Sequence, residues 1–154
     1  MIRITKQTDY GIVLLTHLAA TPERHANAPE LAAETRLPLP MVSKILKLLV
    51  REGVLQSHRG VKGGYGLARH PGEISMAEVI TALEGPIAIT ECIDDHSGCT
   101  HEPFCAVRGR WHRINAALRH TLAGITLAEM AQAPQPQLVT LGGHRGLAAA
   151  PQEI

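Results

Sequence analysis

The first fifty residues place apolar side chains at the three- and four-residue spacing of amphipathic helices. Thr8 or Asp9 is positioned to cap a first helix, which we expect over residues 8–20. Asn27, followed by a proline and then by Glu30, predicts a second helix of about two turns. The apolar positions of the first helix are Tyr10, Val13, Leu14 and Leu18.

A third helix is predicted to open at Pro40 and to stop at Gly53, and its two sides differ in character. The apolar side consists of Val42, Ile45, Leu46, Leu49 and Val50. The polar side consists of Ser43, Lys44, Lys47 and Arg51. Two short helices joined by a tight turn, the second with an apolar back and a basic front, are typical of a helix-turn-helix. An ordinary helical bundle is the alternative.

A β-hairpin is predicted directly after this candidate recognition helix. Residues 54–59 read as a strand, the glycine-rich stretch 60–64 as a turn and residues 65–67 as the returning strand. A phosphate-binding glycine loop would lead into a helix, whereas here a strand follows. Arg59 and Lys62 instead suit a wing that enters the minor groove. The predicted fold is therefore mainly α with a small β-hairpin wing, a winged helix-turn-helix.

The second half of the chain is predicted to supply a long amphipathic helix. Ser75 and Glu78 form a capping box for a helix that Gly85 and Pro86 terminate. The long helix is expected over residues 104–123, with an apolar seam at Phe104, Val107, Trp111, Ile114, Leu118 and Ile125. We expect this seam to pair with a second subunit in a two-fold homodimer. Packing back onto its own domain is the alternative.

These patterns divide the chain into three parts. Residues 1–85 form the predicted DNA-binding domain, residues 86–131 a cysteine-rich loop with the dimerisation helix, and residues 132–154 a disordered tail. A last short helix is expected after Thr126. The 154-residue chain is 45% hydrophobic and has neither an apolar run of membrane-spanning length nor a signal sequence. We therefore expect a soluble cytoplasmic protein with no membrane partner and no small-molecule substrate.

Charge is unevenly distributed along the chain, although the total is only +1. Residues 1–70 hold ten Lys/Arg against five Asp/Glu, whereas residues 71–133 hold four against eight. The basic half is where a polyanion would bind. A solvated basic face is the alternative.

All three cysteines, Cys92, Cys99 and Cys105, lie within fourteen positions. An odd number of thiols would leave one unpaired in a disulfide framework. Their wide spacing fits an iron–sulfur cluster better than zinc, which usually takes paired Cys-x-x-Cys ligands. Zinc and unligated thiols remain alternatives, and Asp94, His96 and His101 are further potential ligands in the loop.

An enzyme with a cysteine nucleophile is the competing functional class. Such an enzyme needs a thiol of low pKa beside a positioned base, and His96, His101 or His112 could be that base. No nucleophile signature surrounds any of the cysteines. We therefore expect a binding protein and not an enzyme.

Residues 1–131 resemble the Rrf-two family of bacterial transcription regulators, which includes IscR, NsrR and RirA. The resemblance rests on Thr5–Gly11, on Glu52–Arg69 through the wing, on the cysteine triplet and on Ile125–Glu129. It implies a homodimer that binds a palindromic double-stranded DNA operator and carries one cluster, of two or four irons, per subunit. The subgroup that represses the genes of the SUF iron–sulfur assembly system looks closest.

The chain departs from IscR at the fourth ligand of that cluster. IscR has a histidine three residues after its last cysteine, and Arg108 stands there in this chain. A guanidinium has no free lone pair and does not ligate iron. The resemblance to NsrR implies Asp9 of the partner subunit as the fourth ligand, with His101 and His96 as alternatives.

The DNA contacts can also be assigned to residues. We expect Met41, Ser43 and Lys44 to approach base edges in the major groove. Lys47 and Lys6 are expected on phosphates, and Arg59 in the minor groove.

Overall fold

The structure, a computed structural model, describes residues 3–60, 63–93, 99–100 and 104–132. Residues 133–154 of the predicted tail, and Lys62 of the predicted wing turn, lie outside these residues. The helices are α1 (Lys6–Ala19), α2 (Ala28–Thr35), α3 (Leu39–Arg51), α4 (Met76–Glu84), α5 (Arg108–Gly124) and α6 (Leu127–Ala131). The strands are β1 (Leu55–His58) and β2 (Gly64–Leu67). Mainly helical structure with one small hairpin confirms the predicted fold class.

Helix α1 begins two residues before the predicted start, because Thr5 and not Thr8 or Asp9 is its N-cap. The Thr5 side chain accepts a hydrogen bond from the Thr8 backbone N–H at 3.2 Å. The buried face of α1 consists of Thr8, Gly11, Leu14, Leu15 and Leu18. Val13 was assigned to this face, but its position on the helix leaves it 39% exposed.

Helices α2 and α3 form the predicted helix-turn-helix. Asn27 and Glu30 cap α2 reciprocally through side-chain and backbone bonds of 2.9 and 3.0 Å. The chain reverses at Arg36, which has a left-handed φ of 57°, and α3 follows Pro38. Helix α3 starts one residue before the predicted Pro40 and buries Val42, Ile45, Leu46 and Leu49.

The hairpin after α3 is antiparallel, with Leu55 opposite Leu67 and His58 opposite Gly64. Leu55 and Leu67 are buried in the core. The next pair, Gln56 and Gly66, faces the other side of the hairpin because side chains alternate along a strand. The hairpin is therefore anchored in the core at its base.

The last helix, α6, packs against the winged domain formed by the first part of the chain. Leu127 of α6 is completely buried in the same core cluster as Leu14 and Ile45. Its N–H donates to Ile74 O, and the Met76 N–H donates to Ile125 O, both at 2.8 Å. The C-terminal end of α5 is thus fixed to the winged domain by a short antiparallel bridge.

Helix α5 begins at Arg108, four residues after the predicted start at Phe104. The backbone first makes a turn in which the Arg108 N–H donates to Cys105 O at 3.3 Å, which delays the helix. Among the described residues, no helix is long and apolar enough to cross a membrane.

Candidate functional site

The exposed side of α3 presents the residues expected to read DNA. Lys44 and Lys47 are exposed, and Ser43 is half-buried. Met41 is also half-buried and packs against the hydrophobic core. Lys44 and Lys47 are therefore the members of this set that are most accessible to a polyanion.

The wing and the first helix supply two further exposed cations. Arg59 directly follows β1 and is exposed. Lys6 is the first residue of α1 and is also exposed. Both side chains are accessible to DNA.

Salt bridges connect the helix-turn-helix to α1 and to the loop that follows α1. Glu34 of α2 accepts two hydrogen bonds from Arg24, at 2.6 and 3.1 Å, and contacts His17 of α1 at 2.7 Å. The bonds from Arg24 and then from His17 hold the pKa of the Glu34 carboxyl below its usual value. The network connects α1, the following loop and α2 at a partly exposed surface.

The three cysteines are free thiols, each half-buried. Cys92 lies in a short 3-10 turn, where its Sγ is 3.2 Å from Thr90 Oγ1. Cys99 and Cys105 follow on the way to α5. All three therefore lie in the segment of the chain that connects α4 to α5.

Asn115 of α5 holds the segment that leads to Cys92. Its side chain is 3% exposed, its Nδ2 donates to Ile87 O at 2.9 Å, and its Oδ1 accepts from the Ile89 N–H at 3.3 Å. Sequence reasoning missed this residue. A single asparagine between the apolar positions Ile114 and Leu118 was the available signal.

The chemistry of the three thiols suits an iron–sulfur cluster, since thiolates are the usual ligands of these groups. Within the described ranges, however, no three His, Cys, Asp or Glu side chains are arranged to hold one metal ion. The ligand types fit, whereas the described arrangement does not bring them together. Asp94, His96 and His101 lie outside the described residues.

Asp9, the expected fourth ligand, is exposed in the first turn of α1. Thr5 takes the N-cap position, so the Asp9 carboxylate is not used for capping. In the part of the chain that the structure describes, no side-chain partner of Asp9 is found. The carboxylate is therefore available to a group outside its own subunit.

Comparison with known proteins shows the family. The profile described as Rrf2, iron-dependent transcriptional regulator, matches residues 4–133. The transcriptional regulator NsrR of Shouchella clausii is 28% identical over 131 residues, which cover 84% of this chain and 88% of that protein.

Two solved structures have the same fold over nearly their whole length. CymR, the global cysteine regulator of B. subtilis, superposes with a TM-score of 0.67 at 28% identity, covering 85% of this chain and 97% of CymR. IscR of T. potens superposes with a TM-score of 0.65 at 26% identity, covering 87% of this chain and 93% of IscR. These relatives are regulators and not enzymes, as the sequence predicted. The chain belongs to the Rrf2 family of DNA-binding transcriptional regulators.

Proposed function

We propose that this protein is a homodimeric regulator that senses an iron–sulfur cluster and represses genes of iron–sulfur cluster assembly, such as the SUF system, or of related stress responses. The observation that carries the proposal is that three free, half-buried thiols lie in the segment of the chain that joins the winged domain to α5. A group bound there would contact the two parts of the chain that set the spacing of the recognition helices.

The ligands we assign are Cys92, Cys99 and Cys105, with Asp9 of the partner subunit as the fourth. Support for Asp9 comes from its exposure and from the N-cap role of Thr5, which leaves the carboxylate free. Arg108 cannot take the fourth position because its guanidinium stays protonated. His101 and His96 are the alternatives within the loop. Bound to this set, the cluster would supply a redox-sensitive centre.

The homodimer is supported by an uncovered apolar face on the first half of α5 and the turn before it. Four large side chains there are 38–81% exposed: Phe104, Val107, Trp111 and Ile114. The second half of α5 lines a groove of about 450 Å³ together with Ile4 and Ile87. Antiparallel pairing of two α5 helices would place the exposed half of each copy against the groove of the other, as two-fold symmetry requires.

A dimer would also bring two recognition helices to a palindromic operator.

A regulator based on thiol oxidation, or one stabilised by zinc, is the second candidate. The thiol-based form is favoured by the fold similarity to CymR, of which an oxidized form from Staphylococcus aureus is known, and by the lack of a three-ligand group in the described ranges. Three thiols can also bind zinc if a fourth ligand is found. The two candidates differ in metal content and in the effect of a thiol oxidant on a metal-free sample.

DNA binding by the anaerobically reconstituted and the cluster-free full-length protein tests the main proposal. The probe is the duplex that the wild-type protein selects from a randomised library. We expect the affinity for this duplex to differ between the two forms, and the affinity for a scrambled duplex to change little. Equal affinity of both forms for the selected duplex would contradict cluster sensing. A response of the metal-free protein to diamide would support the thiol-based alternative.

A further inference from the structure

One face of the wing hairpin has glycines where side chains would be expected. Gly64 and Gly66 of β2 lie opposite His58 and Gln56 of β1, so these four residues share a face. The structure shows what occupies the space above them. A Cβ at Gly66 would lie 2.7 Å from Cδ2 and 2.9 Å from Nε2 of His25, and the three nearest atoms all belong to that ring. His25 comes from the loop between α1 and α2.

The His25 ring also contacts the strand that leads to Arg59. The rings of His25 and His58 meet edge to face, with centroids 4.2 Å apart and planes at 75°. His58 is the last residue of β1, and Arg59 follows it directly. The position of the His58 backbone is therefore tied to a residue outside the hairpin.

Backbone hydrogen bonds fix His25 in this place. The next residue, Ala26, donates to Tyr65 O at 3.1 Å and accepts from the Tyr65 N–H at 2.8 Å. Gly64 has a φ of 156°, and a Cβ there would lie 2.7 Å from the Ala26 backbone. The loop is thus joined to β2 by one isolated antiparallel bridge, and the two glycines make room for it.

A two-stranded hairpin is marginally stable without further support. The Leu55 and Leu67 side chains anchor its base in the core, whereas the distal residues on the glycine face have only His25 and Ala26 as described supports. We propose that His25 is a positioning residue of the wing, whose ring fills the space above Gly66, contacts His58 and thereby places Arg59 for DNA. The inference rests on the proposed DNA contact of Arg59.

Four variants isolate this role. His25→Ala removes the ring. Gly66→Ala introduces a methyl group that collides with the ring, and its backbone conformation does not require glycine. The double variant has neither the ring nor the collision. His25→Phe keeps an aromatic ring without the imidazole nitrogens.

The full-length proteins are compared by their affinity for the selected duplex relative to a scrambled duplex of the same composition, at one salt concentration. We expect His25→Ala and Gly66→Ala each to lower this ratio about tenfold, within the range for loss of one base contact. The double variant should be no worse than His25→Ala, since the methyl group no longer has a ring to displace. His25→Phe should retain most of the ratio. His120→Ala, an exposed histidine on α5, is the control and should not change it.

The Arg59→Ala background separates this inference from the wing assignment. If Arg59 contacts DNA, Arg59→Ala lowers the ratio and His25→Ala adds little to that loss. A normal ratio for His25→Ala beside a reduced ratio for Arg59→Ala would overturn the role of His25 and leave the wing assignment intact. A normal ratio for Arg59→Ala would overturn both. Thermal unfolding of each variant shows whether it is folded. The proposal would also be contradicted if the loss of binding free energy in the double variant equalled the sum of the losses in His25→Ala and Gly66→Ala.

Discussion

Ser75 and Thr126 lie opposite each other in an antiparallel bridge, and each is the N-cap of the helix that follows it. The bridge joins the start of α4 to the end of α5, although the two residues are far apart in sequence. Leu127, the residue after Thr126, lies in the core of the winged domain. The long helix is therefore fixed to the DNA-binding domain at its C-terminal end, whereas apolar side chains at its N-terminal end are exposed.

The first prediction concerns this attachment. Leu127→Ala should lower the free energy of unfolding by about 2–5 kcal/mol, because a completely buried leucine leaves a cavity when truncated. Met130→Ala on the same helix is the control, since Met130 is 44% exposed and its loss should cost within about 0.5 kcal/mol. Urea unfolding at a fixed protein concentration measures both values. Similar costs for the two variants would show that α6 is not part of the core.

Asn115 gives a second prediction. Asn115→Leu should cost about 1–3 kcal/mol, because Ile87 O and the Ile89 N–H would lose their partner in a half-buried site. Cys92 should also be alkylated faster, since the segment before it is no longer held. The alkylation rate of Cys92, followed by peptide mass spectrometry, measures this. An unchanged rate would mean that Asn115 does not control access to the cysteine.

Much of the fold could be predicted because local signals agree with it. Asn27, Ser75 and Thr126 all cap the helices assigned to them, and the apolar spacing of α3 matches its buried face. The predicted N-cap of α1 was wrong because Thr5, Thr8 and Asp9, within five positions, all carry a side-chain oxygen that can accept a capping hydrogen bond. Gly11 of α1 packs so closely on Leu83 of α4 that an added Cβ would lie 2.5 Å from Leu83 Cδ1, and nothing in the sequence around α1 signals this contact.

The parts of the site that were not predicted depend on contacts between distant residues. Asn115 bonds to Ile87, 28 positions away, and nothing local to α5 signals that partner. The role of His25 could not be predicted from the sequence either, because it depends on the glycines of β2. The glycines themselves were visible as a Gly-Tyr-Gly strand, but only the fold shows which ring lies above them.

The third prediction separates the roles of two cations on α3. Lys47→Ala should weaken binding to all DNA sequences alike and lower the slope of log K against log salt by about 0.9, as expected for one lost phosphate contact. Arg51→Ala is the control, because Arg51 is at the far end of α3 and pairs with Glu52 at 2.8 Å. Fluorescence anisotropy at several salt concentrations gives the slopes. Equal slopes for Lys47→Ala and the wild-type protein would exclude Lys47 from the interface.

A fourth prediction concerns pH and the junction of α1 with α4. The Thr5 N–H donates to Glu84 Oε1 at 2.7 Å, and this bond lowers the pKa of the Glu84 carboxyl from its usual 4.5. Because the folded-state pKa is the lower one, the stabilisation is present above pH 4.5 and is lost as the pH falls through the folded-state value. Glu84→Gln should therefore reduce the fall in melting temperature on acidification. Glu23→Gln, at an exposed glutamate, should leave that fall unchanged.

The proposed fourth ligand is tested by substitution in the anaerobically reconstituted protein. Asp9→Ala should alter the visible spectrum of the cluster and speed its loss, because a carboxylate ligand would be removed. Glu23→Ala is the matched control, an exposed acidic residue outside the site. A wild-type spectrum for Asp9→Ala together with an altered one for His101→Ala would place the ligand within the cysteine loop.

The most direct test of the account is the metal and sulfide content of the full-length protein purified without oxygen. We expect a brown sample that absorbs in the visible range and contains iron and acid-labile sulfide in similar amounts, with neither retained by the Cys92→Ala variant. A colourless wild-type protein containing stoichiometric zinc, or no metal, would contradict the proposed iron–sulfur sensor.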